Sequence, residues 1–192
     1  MKRAPLFVFA GCIALSAVGV AHGKECMGVG FPDQLQVEGS TLVLNGLGLR
    51  QATMLKVDVY VAALYTAAAT SDPNAVLGSA TPKQLVLHFV RNVGAADLNK
   101  AWEEGFEANA KAQLAALAER VETLKGWMAD MKTGERLAFT HKPGQGVQVD
   151  VGGTGKGTIP GDDFARAFLS IWLGAHPPNA GLKSGLLGGA CS

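Results

Sequence analysis

The fold of this chain is decided by residues 55–65, LKVDVYVAALY. Every odd position of this segment is apolar or aromatic, whereas its first three even positions hold Lys56, Asp58 and Tyr60. Alternation with a period of two is typical of a β-strand that buries one face. Residues 83–90 repeat the alternation, so the sequence predicts two amphipathic strands of one sheet.

The hydrophobic period changes in the next segment of the chain. Apolar residues now recur every three or four positions, at Leu98, Trp102, Phe106, Ala110, Leu114, Leu117, Val121 and Leu124. This spacing predicts one helix of about 30 residues, whose apolar stripe must pack against another element. No second helix offers a matching heptad stripe, so a sheet is the expected surface. A short helical continuation is expected at residues 126–131.

Shorter elements flank these segments. Strands are predicted at residues 35–37, 41–44, 135–141, 147–151 and 156–159. One helix is expected to begin after Gly161 and end at Gly174, and a last short helix spans residues 177–187. Residues 70–74, TSDPN, are expected to be a break after a strand. The economical arrangement is an α+β fold, with helices packed mainly on one face of an antiparallel sheet.

Composition limits the classes of protein to which the chain can belong. It has 192 residues, of which 48% are hydrophobic and 17% are charged. These values suit one globular domain with a removable segment and exclude a disordered chain. The net charge is +1, from 17 basic and 16 acidic side chains. Proteins that bind nucleic acids by charge usually have a clear basic excess, so nucleic acid is not an expected partner.

Residues 1–23 have the parts of a secretory signal peptide. Lys2 and Arg3 precede an apolar run at residues 6–20, which is followed by small residues. The run is shorter than the roughly 20 residues of a membrane-spanning helix. An uncleaved N-terminal anchor is the alternative interpretation.

The expected mature domain is residues 24–192. Cleavage after Ala21 and cleavage after Gly23 both remain open. No later apolar run approaches the length of about 18 residues that a membrane span needs, so no stable membrane insertion is expected after removal of the signal. We therefore expect a periplasmic or secreted protein, and a monomer.

Two cysteines remain in this domain, Cys26 near its start and Cys191 near its end. An oxidising compartment allows them to form one disulfide. On the chain-entropy estimate, closing so long a loop stabilises the fold by about 4–5 kcal/mol. Two free thiols are the alternative. Neither cysteine has a histidine at the spacing of a metal site, so no metal ion is expected.

Glycine-rich segments do not indicate a nucleotide cofactor. In residues 152–158, GGTGKGT, the lysine is followed by glycine rather than by serine or threonine. The next residues, Ile159, Pro160 and Gly161, do not open a helix as a phosphate loop requires. A turn between two strands is the better interpretation, and no cofactor is expected.

Arg50 is the best candidate for a functional side chain. It follows an apolar strand and a Gly-Leu-Gly sequence, and it precedes the strand that carries Asp58 and Tyr60. The rigid fork of donors on a guanidinium group suits a carboxylate or enolate oxygen. The alternative is an ordinary ion pair of Arg50 with Asp58 or Glu38. His141 and His176 lie beside loops, with nothing to orient them as bases, and His88 is interpreted as a structural or surface residue.

Several blocks of the sequence resemble those of bacterial chalcone isomerase-like domains. In chain order they are NGLGLR (45–50), KV (56–57), YVAALY (60–65), LVLHFVRNV (85–93), AWEEG (101–105), GTIPGDDF (157–164), IWLG (171–174) and LKSGLLG (182–188). Together these blocks cover nearly all of the expected mature chain. The resemblance implies an open-faced β-sandwich, in which helices are layered on one face of a large antiparallel sheet and a ligand cleft lies between the two layers.

The resemblance implies two possible chemistries. Plant chalcone isomerases close a chalcone to a flavanone, with an arginine organising the anionic oxygen. Non-catalytic relatives bind fatty acids through an arginine and a tyrosine. The arginine corresponds to Arg50, but residues 91–96, RNVGAA, lack the tyrosine of the plant enzymes. The threonine of the enzymes falls near Asp58.

We therefore expect an exported, non-catalytic binder of a small apolar acid, similar to a fatty acid. Arg50, Tyr60 and Asp58 are its expected ligand-binding residues. One alternative is an intramolecular lyase or isomerase that acts on a conjugated carbonyl, with Arg50 as the catalytic stabiliser of the oxyanion. A second alternative is a structural or interaction module of the cell envelope.

Overall fold

The computed structural model describes residues 23–52 and 55–192. The predicted signal peptide, residues 1–23, lies outside the described residues except for Gly23. Nine strands are found in the described part: β1 (Gly23–Cys26), β2 (Val29–Pro32), β3 (Gln34–Val37), β4 (Ser40–Ala52), β5 (Val57–Thr66), β6 (Lys83–Phe89), β7 (Arg136–Lys142), β8 (Gly146–Val151) and β9 (Thr154–Pro160). The helices are α1 (Pro73–Gly78), α2 (Ala95–Ala110), α3 (Leu114–Trp127), α4 (Asp162–Leu173) and α5 (Ala180–Leu186).

Strands β3 to β9 form one antiparallel sheet in which neighbours in the chain are neighbours in space. Helices α1 to α5 bury their apolar residues on one face of this sheet. A separate hairpin, β1–β2, helps to cover the other face, where Phe31 and Cys26 pack with Val61, Ala63 and Tyr65. The predicted α+β fold, an open-faced β-sandwich with helices on one face, is confirmed.

Aromatic rings dominate the packing between sheet and helices. Trp102 on α2 contacts Phe139 on β7 and both Phe168 and Trp172 on α4, with ring centroids 5.6 to 6.0 Å apart. Each of these four side chains is at most 2% exposed. Large aromatic side chains contribute strongly to a core through the apolar area that they bury. The predicted stripe on residues 98–124 therefore does pack on the sheet side of the molecule.

The single long helix predicted from that stripe is wrong. The chain forms α2 and α3, with a 3₁₀ turn at Lys111–Gln113 between them. The two helices have different neighbours, because α2 packs on α4 whereas α3 contacts β9 at the sheet edge. Apart from the half-buried Leu114, both bury the residues of the stripe, so the hydrophobic period could not reveal the break between them.

The predicted helical continuation at residues 126–131 is also wrong. Helix α3 ends at Trp127, and Met128 has an extended backbone. Met131 instead forms an isolated antiparallel bridge with Val93. This bridge fixes the start of α2 against the segment that follows α3.

Other local differences from the sequence prediction concern the ends of β4 and β5 and two further segments. The strand expected to end at residue 44 continues to Ala52 as β4. The next strand begins at Val57, so Leu55 lies in the preceding turn and is 86% exposed. The sequence also gave no indication of the β1–β2 hairpin, and the expected break at residues 70–74 leads directly into α1.

The predicted disulfide between Cys26 and Cys191 is present. It joins the last residue of β1 to the C-terminal tail, with the two Cα atoms 6.1 Å apart. The bond closes a loop with a sequence separation of 165 residues. None of the helices in the described part of the chain combines the length and the apolar character needed to cross a lipid bilayer.

Candidate functional site

The position of Arg50 depends on how closely α5 lies on β4. A Cβ atom on Gly46 would collide with the carbonyl oxygen of Gly185, and one on Gly48 would collide with that of Leu182. Both glycines are therefore required by the close approach of the two backbones rather than by a turn. This contact brings the residues that precede α5 against the end of β4, where Arg50 lies.

Asn179 attaches that segment to the free edge of β4. Its amide nitrogen donates to the Leu49 carbonyl at 3.0 Å, and its Oδ1 accepts from the Gln51 backbone nitrogen at 3.3 Å. The side chain thus takes the place of a neighbouring strand, because β3 pairs with β4 only as far as Val43. Arg50 lies between these two anchored residues.

The Arg50 guanidinium donates only to carbonyl oxygens in the described part of the chain. Nη1 contacts the Gln51 carbonyl and lies 3.4 Å from the Pro178 carbonyl. No carboxylate among the described residues lies within ion-pair distance. Asp58 accepts from Gln51 at 2.8 Å, and Glu38 accepts from Lys142, so the alternative of an ion pair with Arg50 is not realised.

Tyr60 lies directly opposite Arg50 in the pairing of β4 with β5. It is 7% exposed, and its hydroxyl oxygen accepts a hydrogen bond of 2.9 Å from Nε1 of Trp172. Burial raises the pKa of Tyr60 to about 12, against the smaller opposing effects of Trp172 and Arg50. The phenol is therefore neutral at physiological pH, and its own proton remains available to another acceptor.

Asp58 does not belong to this site. The register of β4 with β5 pairs Arg50 with Tyr60 and Gln51 with Asp58, which leaves Val59 as an extra residue. Such a bulge reverses the alternation of side chains along a strand. Asp58 therefore shares a face with Gln51, whereas Arg50, Val59 and Tyr60 face the helices. A period of two cannot reveal the bulge, which is why the sequence placed Asp58 with Tyr60.

A cavity of about 600 Å³ lies in front of Arg50 and Tyr60. Its walls come from the ends of β4 and β5, from the chain before and along α2, and from residues at and after the end of α4. The lining residues are Arg50, Ala52, Val59, Tyr60, Arg91, Asn92, Val93, Asp97, Leu98, Ala101, Trp102, Glu104, Gly105, Ala108, Ile171, His176 and Pro178.

Polar and apolar residues occupy different parts of the cavity. Leu98, Trp102 and Ile171 are buried in its wall. Arg91 and Glu104, like the other ionisable residues of the rim, are exposed. Sequence reasoning identified Arg50 and Tyr60 but assigned Leu98 and Trp102 only to the core. Helical spacing is the same for a core stripe and for a cavity wall, so it could not separate the two.

A second polar cluster lies on the helix side of the sheet, away from the cavity. Lys83 Nζ donates to the Ser79 carbonyl at 2.8 Å and lies 3.2 Å from Nδ1 of His141. Since an ammonium group can only donate, Nδ1 accepts and Nε2 donates to Asp162 at 2.8 Å. The backbone nitrogen of Gly144 donates to Asp162 as well. The expectation that nothing orients His141 is therefore wrong.

The pKa values of all three side chains in this cluster are lowered. Burial lowers the pKa of Lys83 to about 8 and is also the largest cause of the lowered pKa of His141. The hydrogen bond from His141 is the largest cause of the lowered pKa of Asp162. No group of three or more His, Cys, Asp or Glu side chains that could hold a metal ion occurs within residues 23–52 and 55–192.

Comparison with solved structures identifies the fold independently. The crystal structure of a fatty-acid-binding protein from Arabidopsis thaliana matches with a TM-score of 0.63. The two chains are 16% identical, and the alignment covers 83% of this chain and 92% of the plant protein. At this identity the match shows a shared fold. A comparison with curated protein sequences found no significant match.

The family itself is shown by the sequence. The family model for chalcone isomerase-like proteins matches residues 23–188, which include every strand and helix described above. The match agrees with the blocks of sequence that resemble this family and with the sheet-and-helix architecture. This chain belongs to the chalcone isomerase-like family.

Proposed function

We propose that this protein is a non-catalytic binder of small apolar acids, similar to fatty acids. The observation that carries the proposal is the Arg50 guanidinium, which borders an apolar cavity and has no carboxylate partner within the described part of the chain. A partly buried cation is stabilised when an anion reaches it. A ligand carboxylate at Arg50 would supply that anion, while its apolar chain occupied the cavity.

Tyr60 and the size of the cavity support the same ligand class. The neutral phenol faces the same site as Arg50 and can donate its proton to a carboxylate oxygen. A volume of about 600 Å³ lies within the range of sites that enclose small molecules. The solved protein with this fold is a fatty-acid-binding protein, which supports an apolar acid as the ligand class.

The described residues that line the cavity include no oriented base, which supports binding rather than base catalysis. Among the described residues that line the cavity, His176 is the only histidine, and it is exposed at the rim. Its backbone nitrogen donates to Asn109, but no hydrogen bond to its ring is found in the described part. His141, which is oriented by Asp162, does not line the cavity.

The experiment is a binding titration with saturated fatty acids of graded length. We expect Arg50→Ala to weaken binding by about 10- to 100-fold, because a charge-assisted hydrogen bond to the carboxylate is lost. Arg136→Ala is the matched control, since Arg136 lies over the Phe31 ring on the other face of the sheet. Equal affinity in the wild-type protein and Arg50→Ala would contradict the proposal.

An intramolecular lyase or isomerase is the second candidate. The side-by-side donors of Arg50 and Tyr60 also suit the oxygen of an enolate, which forms when a nucleophile in the same molecule adds to an enone. A screen of conjugated carbonyl compounds tests this function. Turnover that disappears in Arg50→Ala would favour the enzyme, whereas ligand binding without turnover would favour the binder.

We further propose that the protein is exported and monomeric. The disulfide between Cys26 and Cys191 supports export, because such bonds persist in oxidising compartments. One chain supplies every residue of the cavity, so the proposed ligand site needs no second copy. Fractionation of the producing cells, N-terminal sequencing and light scattering in solution test the location, the cleavage site and the oligomeric state.

A further inference from the structure

Trp102 presents a buried donor that lacks an acceptor. The residue is 2% exposed and lines the cavity from α2. Its indole nitrogen has no hydrogen-bond partner in the part of the chain that the structure describes. Buried polar groups in folded proteins are nearly always hydrogen-bonded, so an exception within a ligand cavity indicates a partner supplied from outside.

The neighbouring tryptophan shows what a satisfied indole looks like in the same environment. The rings of Trp102 and Trp172 have centroids 5.6 Å apart, and Nε1 of Trp172 donates to the Tyr60 hydroxyl at 2.9 Å. The other ring neighbours of Trp102 are Phe139 and Phe168, which carry no acceptor. The cavity, which Trp102 lines, is where a ligand can supply that acceptor.

The Arg50 and Tyr60 pair does not account for this donor. These two residues lie on adjacent strands, whereas Trp102 projects from the helix that forms another wall of the cavity. A saturated acyl chain has no acceptor apart from its carboxylate. If that carboxylate is held at the strands, the indole of Trp102 stays unsatisfied when a simple fatty acid is bound.

We propose that the preferred ligand is an oxygenated apolar acid, whose second oxygen accepts a hydrogen bond from Trp102. This inference rests on the proposed function, since it assigns the carboxylate to Arg50. A keto, hydroxyl or ether oxygen along the chain would provide the acceptor. Trp102 is then the residue that distinguishes oxygenated acids from saturated acids of the same length, because only the oxygenated ligand gains a hydrogen bond from this buried donor.

Trp102→Phe tests the proposal, because it keeps an aromatic ring and removes the donor. The probes are a saturated fatty acid and keto acids of the same length with the oxygen at different positions. We expect the wild-type protein to bind the best keto acid about tenfold more tightly than the saturated acid, as one satisfied hydrogen bond predicts. In Trp102→Phe the two affinities become equal. Trp127→Phe, which alters an indole outside the cavity, keeps the wild-type preference.

A measurement on the wild-type protein tests the same hydrogen bond without depending on whether the variant folds. The indole N–H signal of Trp102 in an NMR spectrum moves downfield when a keto acid binds and moves little with the saturated acid. A wild-type protein without preference, a preference that survives Trp102→Phe, or equal weakening of both acids would overturn the inference.

The failure of this inference is distinguishable from the failure of the proposed function. If the wild-type protein binds no acid, or if Arg50→Ala binds acids unchanged, the proposed function fails and this inference fails with it. If acids bind through Arg50 without a preference for the additional oxygen, the proposed function stands and only the role of Trp102 is overturned.

Discussion

Two polar clusters lie between the sheet and its helices, and they differ in how completely their hydrogen bonds are satisfied. In the closed cluster, Lys83, His141 and Asp162 bond to one another and to nearby backbone groups. In the open cluster around Arg50, the guanidinium reaches only carbonyl oxygens, and a nearby tryptophan has no acceptor in the described part. Closed networks hold elements together, whereas open donors in a cavity suit a ligand.

The largest expected effect is the loss of stability when the closed cluster is disrupted. His141→Ala removes a side chain that is 6% exposed and leaves the Lys83 ammonium without one of its acceptors. We expect the free energy of unfolding to fall by about 2–4 kcal/mol. Denaturant unfolding measures this change.

His88→Ala provides the control for that substitution. His88 lies on β6 and accepts from Arg136 on the partly exposed side of the sheet. We expect a loss below about 1 kcal/mol, since neither partner becomes buried and unsatisfied. Equal losses in the two histidine variants would show that the closed cluster has no special structural role.

The second expected effect is the pH dependence of stability, to which the closed cluster should contribute. Because the folded-state pKa values of Lys83, His141 and Asp162 are all lowered, the unfolded chain binds more protons at these groups. Their contribution to stability therefore decreases as the pH falls. For Lys83 the decrease extends from pH 10.5, the ordinary pKa of lysine, to about pH 8; for His141 it continues below 6.5.

The free energy of unfolding, measured across the pH range, tests whether stability decreases as the pH falls. The pH dependence should be weaker in His141→Ala than in the wild-type protein between neutral and mildly acidic conditions.

Ligand affinity should stay nearly constant from neutral to mildly alkaline pH, because Tyr60, with a pKa of about 12, remains protonated. An affinity that drops sharply above pH 8 would show that the Tyr60 proton or another group titrates in the open cluster.

The smallest expected effect concerns the stability of the open cluster. Arg50 contacts two backbone carbonyls and is not fully buried, so Arg50→Ala should change the free energy of unfolding by less than about 1 kcal/mol. The same variant is expected to weaken ligand binding by about 10- to 100-fold. Denaturant unfolding of this variant, compared with His141→Ala, shows whether the open cluster serves ligand binding while the closed cluster serves stability. If the free energy of unfolding of Arg50→Ala fell by several kcal/mol, the open cluster would also be needed for stability.

The sequence predicted the parts of the fold that depend on repeated local patterns. Alternation at residues 83–90 and the apolar stripe beginning at Leu98 correctly indicated a sheet with helices on one face. The boundary between α2 and α3 was missed, because a helix can change direction while the same stripe stays buried. Long-range pairing, such as that of Val93 with Met131, leaves no local signal.

The site was predicted only where a residue type itself carries the chemistry. Arg50 stood out as a cation among apolar residues, and Tyr60 as one of two tyrosines in the chain. Asp58 was misplaced because one bulged residue, Val59, reverses the face of every side chain beyond it. Trp102 was read as core because only the three-dimensional structure shows that its indole lacks a partner.

The bond between Cys26 and Cys191 also determines how the molecule responds to mechanical tension. A force that pulls the chain ends apart passes directly from one sulfur to the other, because the disulfide lies in parallel with the intervening loop. The strands and helices between the two cysteines therefore carry little of that load. The cavity would keep its shape in a protein tethered at both ends, and it would become extensible only when the disulfide was reduced.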